Sequence, residues 1–174
     1  TPELKEQIDK SFKQILEKFK PSESFISELY APKDDANIKH GERVFYSREN
    51  ALIIGGLRKA IEEIDLDFRH FFIAPLLSEA SIHSNTGGVF KGFYKDKDGV
   101  GKFGGSGENA LNRILGKITL QKPIFSNFTS EFEVYQQDAL RLTDILSPLD
   151  IAYFDPPYNQ HPYGSNYFML NLIA

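Results

Sequence analysis

The stretch IAYFDPPYNQHPYGSNYF, residues 151–168, restricts the fold of this chain more than any other. Its apolar and aromatic opening, Ile151 to Phe154, runs straight into an acid, two prolines and a tyrosine. The opening reads as a short buried strand, which leaves Asp155, Pro156, Pro157 and Tyr158 in the loop just beyond its end. Adjacent prolines fix their φ angles and withdraw backbone donors, so that loop is stiff and rich in acceptors. A carboxylate on a stiff loop at a strand end has the character of a site.

The residues before it extend the pattern. FEVYQQ reads as a strand ending at Asp138, ALRLTDIL as a helix and DIAYF as the next strand. Strand and helix in alternation predict a parallel α/β sheet. In such sheets ligands bind outside the carboxyl ends of the strands. If the two strands are neighbours, Asp138 and Asp155 open into one crevice. Asp138 is equally suited to capping the helix that follows it.

Upstream, Leu4, Ile8, Phe12, Ile15 and Phe19 share one face of a helix over residues 3–19, which Pro21 ends. Residues 22–43, with the polar run KDDANIKHGER, read as an irregular arm, and RVFY as strand-like. Ser47 is placed to cap RENALIIGGLRKAIEEI, where Gly55 and Gly56 imply close packing or a bend. DFRHFFIAPLLSEASIH is a more apolar helix with Pro75 as a kink. A glycine-rich loop then mixes Phe90, Phe93, Tyr94 and Phe103 with Lys91, Lys95, Lys97 and Lys102, ahead of a short helix from Glu108 to Leu115. The organisation expected is an N-terminal helix and irregular arm (1–44), a helical insertion (45–130) and a catalytic segment (131–174).

Composition sets the limits. The 174 residues suit one domain or a piece of a larger one, and a 41% apolar fraction with 15 Phe and 8 Tyr suffices for a core. A formal charge of −4 argues against a sequence-blind nucleic-acid coat, while leaving room for a local basic face. The absence of cysteine removes disulfides and cysteine-based zinc patterns and is compatible with the cytoplasm. The histidines show no ligand spacing, so no metal is expected, and no membrane-spanning run is seen. Opening on Thr1 and stopping inside the apolar pattern NYFMLNLIA, the chain reads as a fragment.

The chemistry of residues 155–158 follows from what an aromatic amine needs. The exocyclic nitrogen of adenine is a poor nucleophile because its lone pair is delocalised into the ring. A carboxylate and a carbonyl accepting its two N–H bonds favour a pyramidal nitrogen with the lone pair free. Asp155 and the carbonyl of Pro156 form such a pair, Pro157 fixes the carbonyl's direction, and Tyr158 offers a face for stacking. A rigid turn with a surface tyrosine is the plainer alternative.

Asp155-Pro156-Pro157-Tyr158 resembles the catalytic motif of amino-group DNA methyltransferases in its N6-adenine form. The extended string DPPYNQHPYGSNYFMLNLIA, with FYSRENALIIGGLRKAIEEI and HSNTGGVFKGFYK upstream, is similar to the D12 class, the family of the bacterial DNA adenine methylases. That resemblance implies a partial Rossmann-like, S-adenosylmethionine-dependent methyltransferase fold with a helical insertion, in the bacterial cytoplasm. It implies that Asp155, Pro156, Pro157 and Tyr158 hold a flipped adenine. It also implies that Asp138 and Asp155 face S-adenosylmethionine.

The family's Phe-x-Gly-x-Gly cofactor loop, expected near the N-terminus, is not recognised in the sequence. Phe103, Gly105 and Gly107 match its spelling but follow a charged glycine loop, whereas the fingerprint has meaning after a buried strand. Weak or absent cofactor binding by this chain alone is therefore expected. Double-stranded DNA is the expected partner, with Lys91, Lys95, Lys97, Asn159 and Tyr163 as candidate contacts and a cognate restriction endonuclease as a candidate companion. Methylation of cytosine N4, RNA adenine or a protein amide remains open, as does a non-catalytic DNA-binding or specificity module.

Overall fold

Helix propensity and local capping account for most of the regular structure. In a computed structural model that describes residues 1–105, 110–128, 130–146, 148–156, 160 and 162–174, the helices are α1 (Pro2–Lys18), α2 (Phe25–Leu29), α3 (Arg48–Glu62), α4 (Leu66–Ile82), α5 (Leu111–Leu115), α6 (Ala139–Leu142), α7 (Tyr163–Asn166) and α8 (Phe168–Ile173). The chain divides into two units, residues 1–123 with 161–174, and residues 124–160.

The first unit is built on α1, α3 and α4. In α1 the expected apolar face is the buried one: Ile8 and Ile15 are fully covered, and Phe12 stacks on Phe72 of α4 with ring centroids 6.2 Å apart. Thr1 caps this helix by accepting the N–H of Leu4, and Pro2 occupies its first turn, where a missing N–H costs nothing. The more apolar α4 starts at Asp65 and continues through Pro75. Within the expected irregular arm the structure adds one short helix, α2, because Ser24 and Ser27 form a reciprocal capping box.

Ser47 caps α3 by accepting the Asn50 N–H at 3.2 Å, as its position predicts. A second cap comes from the distant Asp35, whose carboxylate accepts the Arg48 N–H at 2.9 and 3.1 Å. The paired glycines of α3 mark close packing. A Cβ on Gly55 would lie 2.6 Å from Ser22 O, and one on Gly56 would run into the Lys20 carbonyl, with its carbon 2.9 Å away. These obstacles are backbone and cannot swing aside. Gly56→Ala is therefore expected to lower stability by about 1–3 kcal/mol, despite alanine's intrinsic helix advantage of about 1 kcal/mol. A drop in the urea midpoint would show it; an unchanged or higher midpoint would mean that α3 does not lie against residues 20–24 this closely.

The expected RVFY strand forms no ladder. Val44, Phe45 and Tyr46 are buried instead in an irregular segment, bent at Phe45 and Tyr46, that follows two tertiary anchors. The N–H groups of Phe45 and Tyr46 both donate to Tyr30 O, at 3.0 and 3.2 Å, and Phe45 O accepts from Asn85 N at 2.8 Å. Asn50, fully buried, ties the start of α3 to the segment after α5: its Nδ2 donates to Gly116 O at 2.8 Å and its Oδ1 accepts from Ile118 N at 3.0 Å.

In the second unit the two expected strands have no regular secondary structure and carry no ladder; among the described residues the one β contact is the isolated antiparallel bridge of Lys95 with Gly101 in the first unit. Ile151, Tyr153 and Phe154 are 86%, 88% and 83% exposed. The physical reason is that a helix closes its own hydrogen bonds, whereas a strand takes them from neighbours and its apolar side chains need a covering layer. The parallel sheet expected from the alternating pattern is thus not formed by the described residues.

Candidate functional site

Asn85 organises the loop in which the lysines were singled out. Its side chain is completely buried. Nδ2 donates to Val44 O at 2.8 Å and to Lys102 O at 3.1 Å, and Oδ1 accepts from Gly104 N at 3.1 Å. Its backbone carbonyl accepts from Tyr94 N at 3.2 Å. Both amide donors and the acceptor are thereby used, and three separated segments are locked to one residue. The polar run Ser84-Asn85-Thr86 just after a helix end is the signal the sequence offers for this role.

Beyond Asn85 the chain folds into a tight hairpin. Asp96 N donates to Val100 O at 2.8 Å, and Lys102 N donates to Tyr94 O at 2.9 Å. The Asp96 carboxylate accepts the N–H groups of Asp98 and Val100, both at 2.9 Å, and Gly99 supplies the left-handed residue at φ 79°. Asp96 is thus a turn-former whose charge is engaged by backbone. Lys91, Lys95 and Lys97 are exposed. The aromatics divide: Phe90 is core, fixed by its N–H to Asn166 O at 3.0 Å, while half-buried Phe93 meets Phe45 edge-on at 5.3 Å.

A cleft of about 470 Å³ opens beside this hairpin. Tyr30, Phe45, Phe93 and Phe168 supply its aromatic lining, and Arg43, Lys91 and Lys95 its cations. The Arg43 guanidinium lies 5.2 Å from the Tyr30 ring centroid, and Lys95 Nζ lies 5.1 Å from that of Phe93. Glu42 also lines the cleft, but its carboxylate accepts the N–H groups of Lys39 at 2.7 Å and Lys33 at 2.8 Å, and these bonds hold its pKa below the usual range. Lys91, Phe93 and Lys95, singled out in the sequence, share this lining with Arg43, Tyr30, Phe45 and Phe168, which come from distant parts of the chain and carry no local signal. Lys97 lies in the hairpin turn, outside the lining.

The motif residues are described in part. Asp155 and Pro156 are exposed after the exposed apolar run 151–154, while Pro157, Tyr158 and Asn159 lie outside the described residues, as does Gly107. Asp138 caps α6, its Oδ1 accepting the Leu140 N–H at 2.8 Å. Tyr163 sits in α7, exposed, and stacks on Tyr167 with centroids 5.4 Å apart. The 103–105 turn is filled by the protein's own groups: Gly104 N is committed to Asn85, and a Cβ on Gly105 would lie 3.0 Å from the Tyr94 ring. The Gly104 N–H is thus already used inside the protein. Asp138 is exposed and has a second carboxylate oxygen beside the one that caps α6, the acceptor chemistry that an adenosine hydroxyl or amine would need. Among them there is also no cluster of three or more side chains able to hold a metal, and no helix long and apolar enough to cross a membrane.

The family model for D12 class N6 adenine-specific DNA methyltransferases matches residues 4–174. The chain belongs to this family. Among the curated relatives, type II methyltransferase M.NlaIII of Neisseria lactamica is 34% identical over 167 residues, covering 92% of this chain and 44% of the relative. Type II methyltransferase M.CviAII of Paramecium bursaria Chlorella virus 1 is 32% identical over 154 residues, covering 86% and 40%. Type II methyltransferase M.FokI of Planomicrobium okeanokoites is 29% identical over 159 residues, covering 87% and 22%. The chain thus spans less than half the length of these relatives. No solved structure matches it.

Proposed function

We propose that the protein of which this chain is a part methylates N6 of adenine in double-stranded DNA, and that this chain supplies the target-base motif and a DNA-contacting surface. The observation that carries the reading is Asp155-Pro156-Pro157-Tyr158 at the end of an apolar run, inside a chain matched to the D12 class over residues 4–174. Residues 131–137 and 150–154 run as neighbouring strands of a Rossmann-like sheet in the whole protein, which covers their exposed apolar faces and brings Asp138 and Asp155 to one edge.

The adenine must first leave the duplex, at a cost of roughly a few kcal/mol. Asp155 and the Pro156 carbonyl then accept the two N6–H bonds and turn the nitrogen lone pair outward, Pro157 keeps the carbonyl aimed, and Tyr158 stacks on the base. S-adenosylmethionine, when bound, supplies the electrophilic methyl group, with Asp138 and Asp155 facing it. Lys91, Lys95 and Lys97 contact phosphates, and Asn159 and Tyr163 the strand around the target. The type II and modification-methylase names of the relatives support a role in restriction–modification beside a cognate endonuclease, in the bacterial cytoplasm.

The test is incubation of the full-length protein with unmethylated DNA and methyl-labelled S-adenosylmethionine, followed by nucleoside analysis. Label in N6-methyldeoxyadenosine is expected. Label in N4-methylcytosine would transfer the reading to the cytosine branch, and DNA binding without label would make the protein a specificity module.

A further inference from the structure

We propose that the cleft beside the 94–102 hairpin is a second nucleotide subsite, taking an unstacked nucleotide of the DNA strand with its base on aromatic side chains and its phosphate on Arg43, Lys91 and Lys95. The proposal rests on the reading of the protein as DNA-acting and goes beyond it, because the target adenine is assigned to Asp155 and Pro156.

The cleft has the dimensions and the two chemistries that one nucleotide needs. At about 470 Å³ it falls within the range of small-molecule sites and is too small for a duplex. Its floor is preorganised: Phe45 meets Phe93 at 5.3 Å and Phe168 at 5.6 Å, both edge to face, and Tyr30 meets Phe168 at 6.1 Å. Tyr30 and Phe45 are buried, whereas Phe93 and Phe168 are half-exposed and reach the mouth. Binding a base there requires no reorganisation of the core.

The cations are parked on the same rings, Arg43 over Tyr30 and Lys95 over Phe93. An exposed cation–π contact is weaker than the stacking of a base on an aromatic face. An incoming base therefore displaces the Lys95 ammonium from Phe93, and the attached phosphate receives it. Glu42, the lining carboxylate, keeps its negative charge but is held in place by the N–H groups of Lys33 and Lys39, and the cations Arg43, Lys91 and Lys95 outnumber it. A loop that served only to touch phosphates would need its lysines but not this aromatic floor.

Binding of the full-length protein to a labelled oligothymidine single strand and to a duplex of equal length, by anisotropy at several salt concentrations, tests the proposal. Phe93→Leu keeps apolar volume against Phe45 but removes the ring face. It is expected to weaken oligothymidine binding about tenfold and to leave duplex binding nearly unchanged. Phe93→Tyr keeps the face and is expected to bind as wild type. Arg43→Gln should lower the salt dependence of single-strand binding by about 0.7 in log–log slope, the value of one phosphate contact.

Unaltered oligothymidine affinity in Phe93→Leu overturns the subsite, and so does an equal loss in Phe93→Tyr, which would trace the effect to packing. Methyl transfer by the wild type separates this result from the enzymatic reading. If no methyl is transferred and the Phe93→Leu defect persists, the subsite stands and the enzyme reading falls. If methyl is transferred and the defect is absent, the reverse holds.

Discussion

Asp155→Ala in the full-length protein is expected to reduce methyl transfer by at least about 10²–10³-fold, the usual loss when one preorganised polar contact at a reacting centre is removed. Asp155 is exposed. The substitution should therefore leave the unfolding midpoint in place, which separates chemistry from folding. Asp155→Asn is the finer probe. It keeps the shape and one acceptor but removes the charge that draws the amine hydrogens, so an intermediate rate is expected. Turnover near wild type in Asp155→Ala, measured with labelled cofactor under single-turnover conditions, would remove Asp155 from the catalytic assignment.

The second large effect is expected at Asn85, and it is structural before it is functional. Asn85→Ala leaves Gly104 N–H without its acceptor, and the carbonyls of Val44 and Lys102 without their shared donor. Each buried polar group left unpaired costs about 1–3 kcal/mol; with Gly104 N–H and Val44 O buried and Lys102 O partly exposed, a total loss of at least about 2 kcal/mol is expected. Asn85→Asp preserves size but turns a carboxylate oxygen toward those two carbonyls, and should be no better tolerated. Because Asn85 holds the segment carrying Arg43 to the hairpin carrying Lys95, DNA binding should weaken in any variant that still folds. Urea denaturation and anisotropy measure the two effects. A midpoint shift too small to resolve would mean that the hairpin does not depend on this residue.

What could be read from the sequence has a short physical range. Ser47 accepts an N–H three residues on and Asp138 one two residues on, so neighbours alone decide those caps. The buried stripe of α1 repeats with the helix period, and the residues it buries, Ile8 and Ile15, were named from spacing. The Gly55-Gly56 pair announced close packing, but that the backbone of residues 20–24 fills the space is a tertiary fact. The DPPY motif named the family because its residues are contiguous, and the match over residues 4–174 agrees with it.

The cleft and the Asn85 hub were decided by tertiary structure alone. Tyr30, Arg43, Phe93 and Phe168 share one lining only after the chain has folded, and no local pattern records which distant ring will meet which cation. The strands show the opposite limit. Alternating pattern and apolar content marked segments 132–137 and 150–154 as strand-like, and the structure gives them no regular secondary structure. A strand forms only when another backbone supplies the bonds and another layer covers the side chains, and the described residues supply neither. Sequence fixed where this chain turns, caps and carries its motif; tertiary contacts decided which of its charges and rings face one another, because that depends on partners far away along the chain.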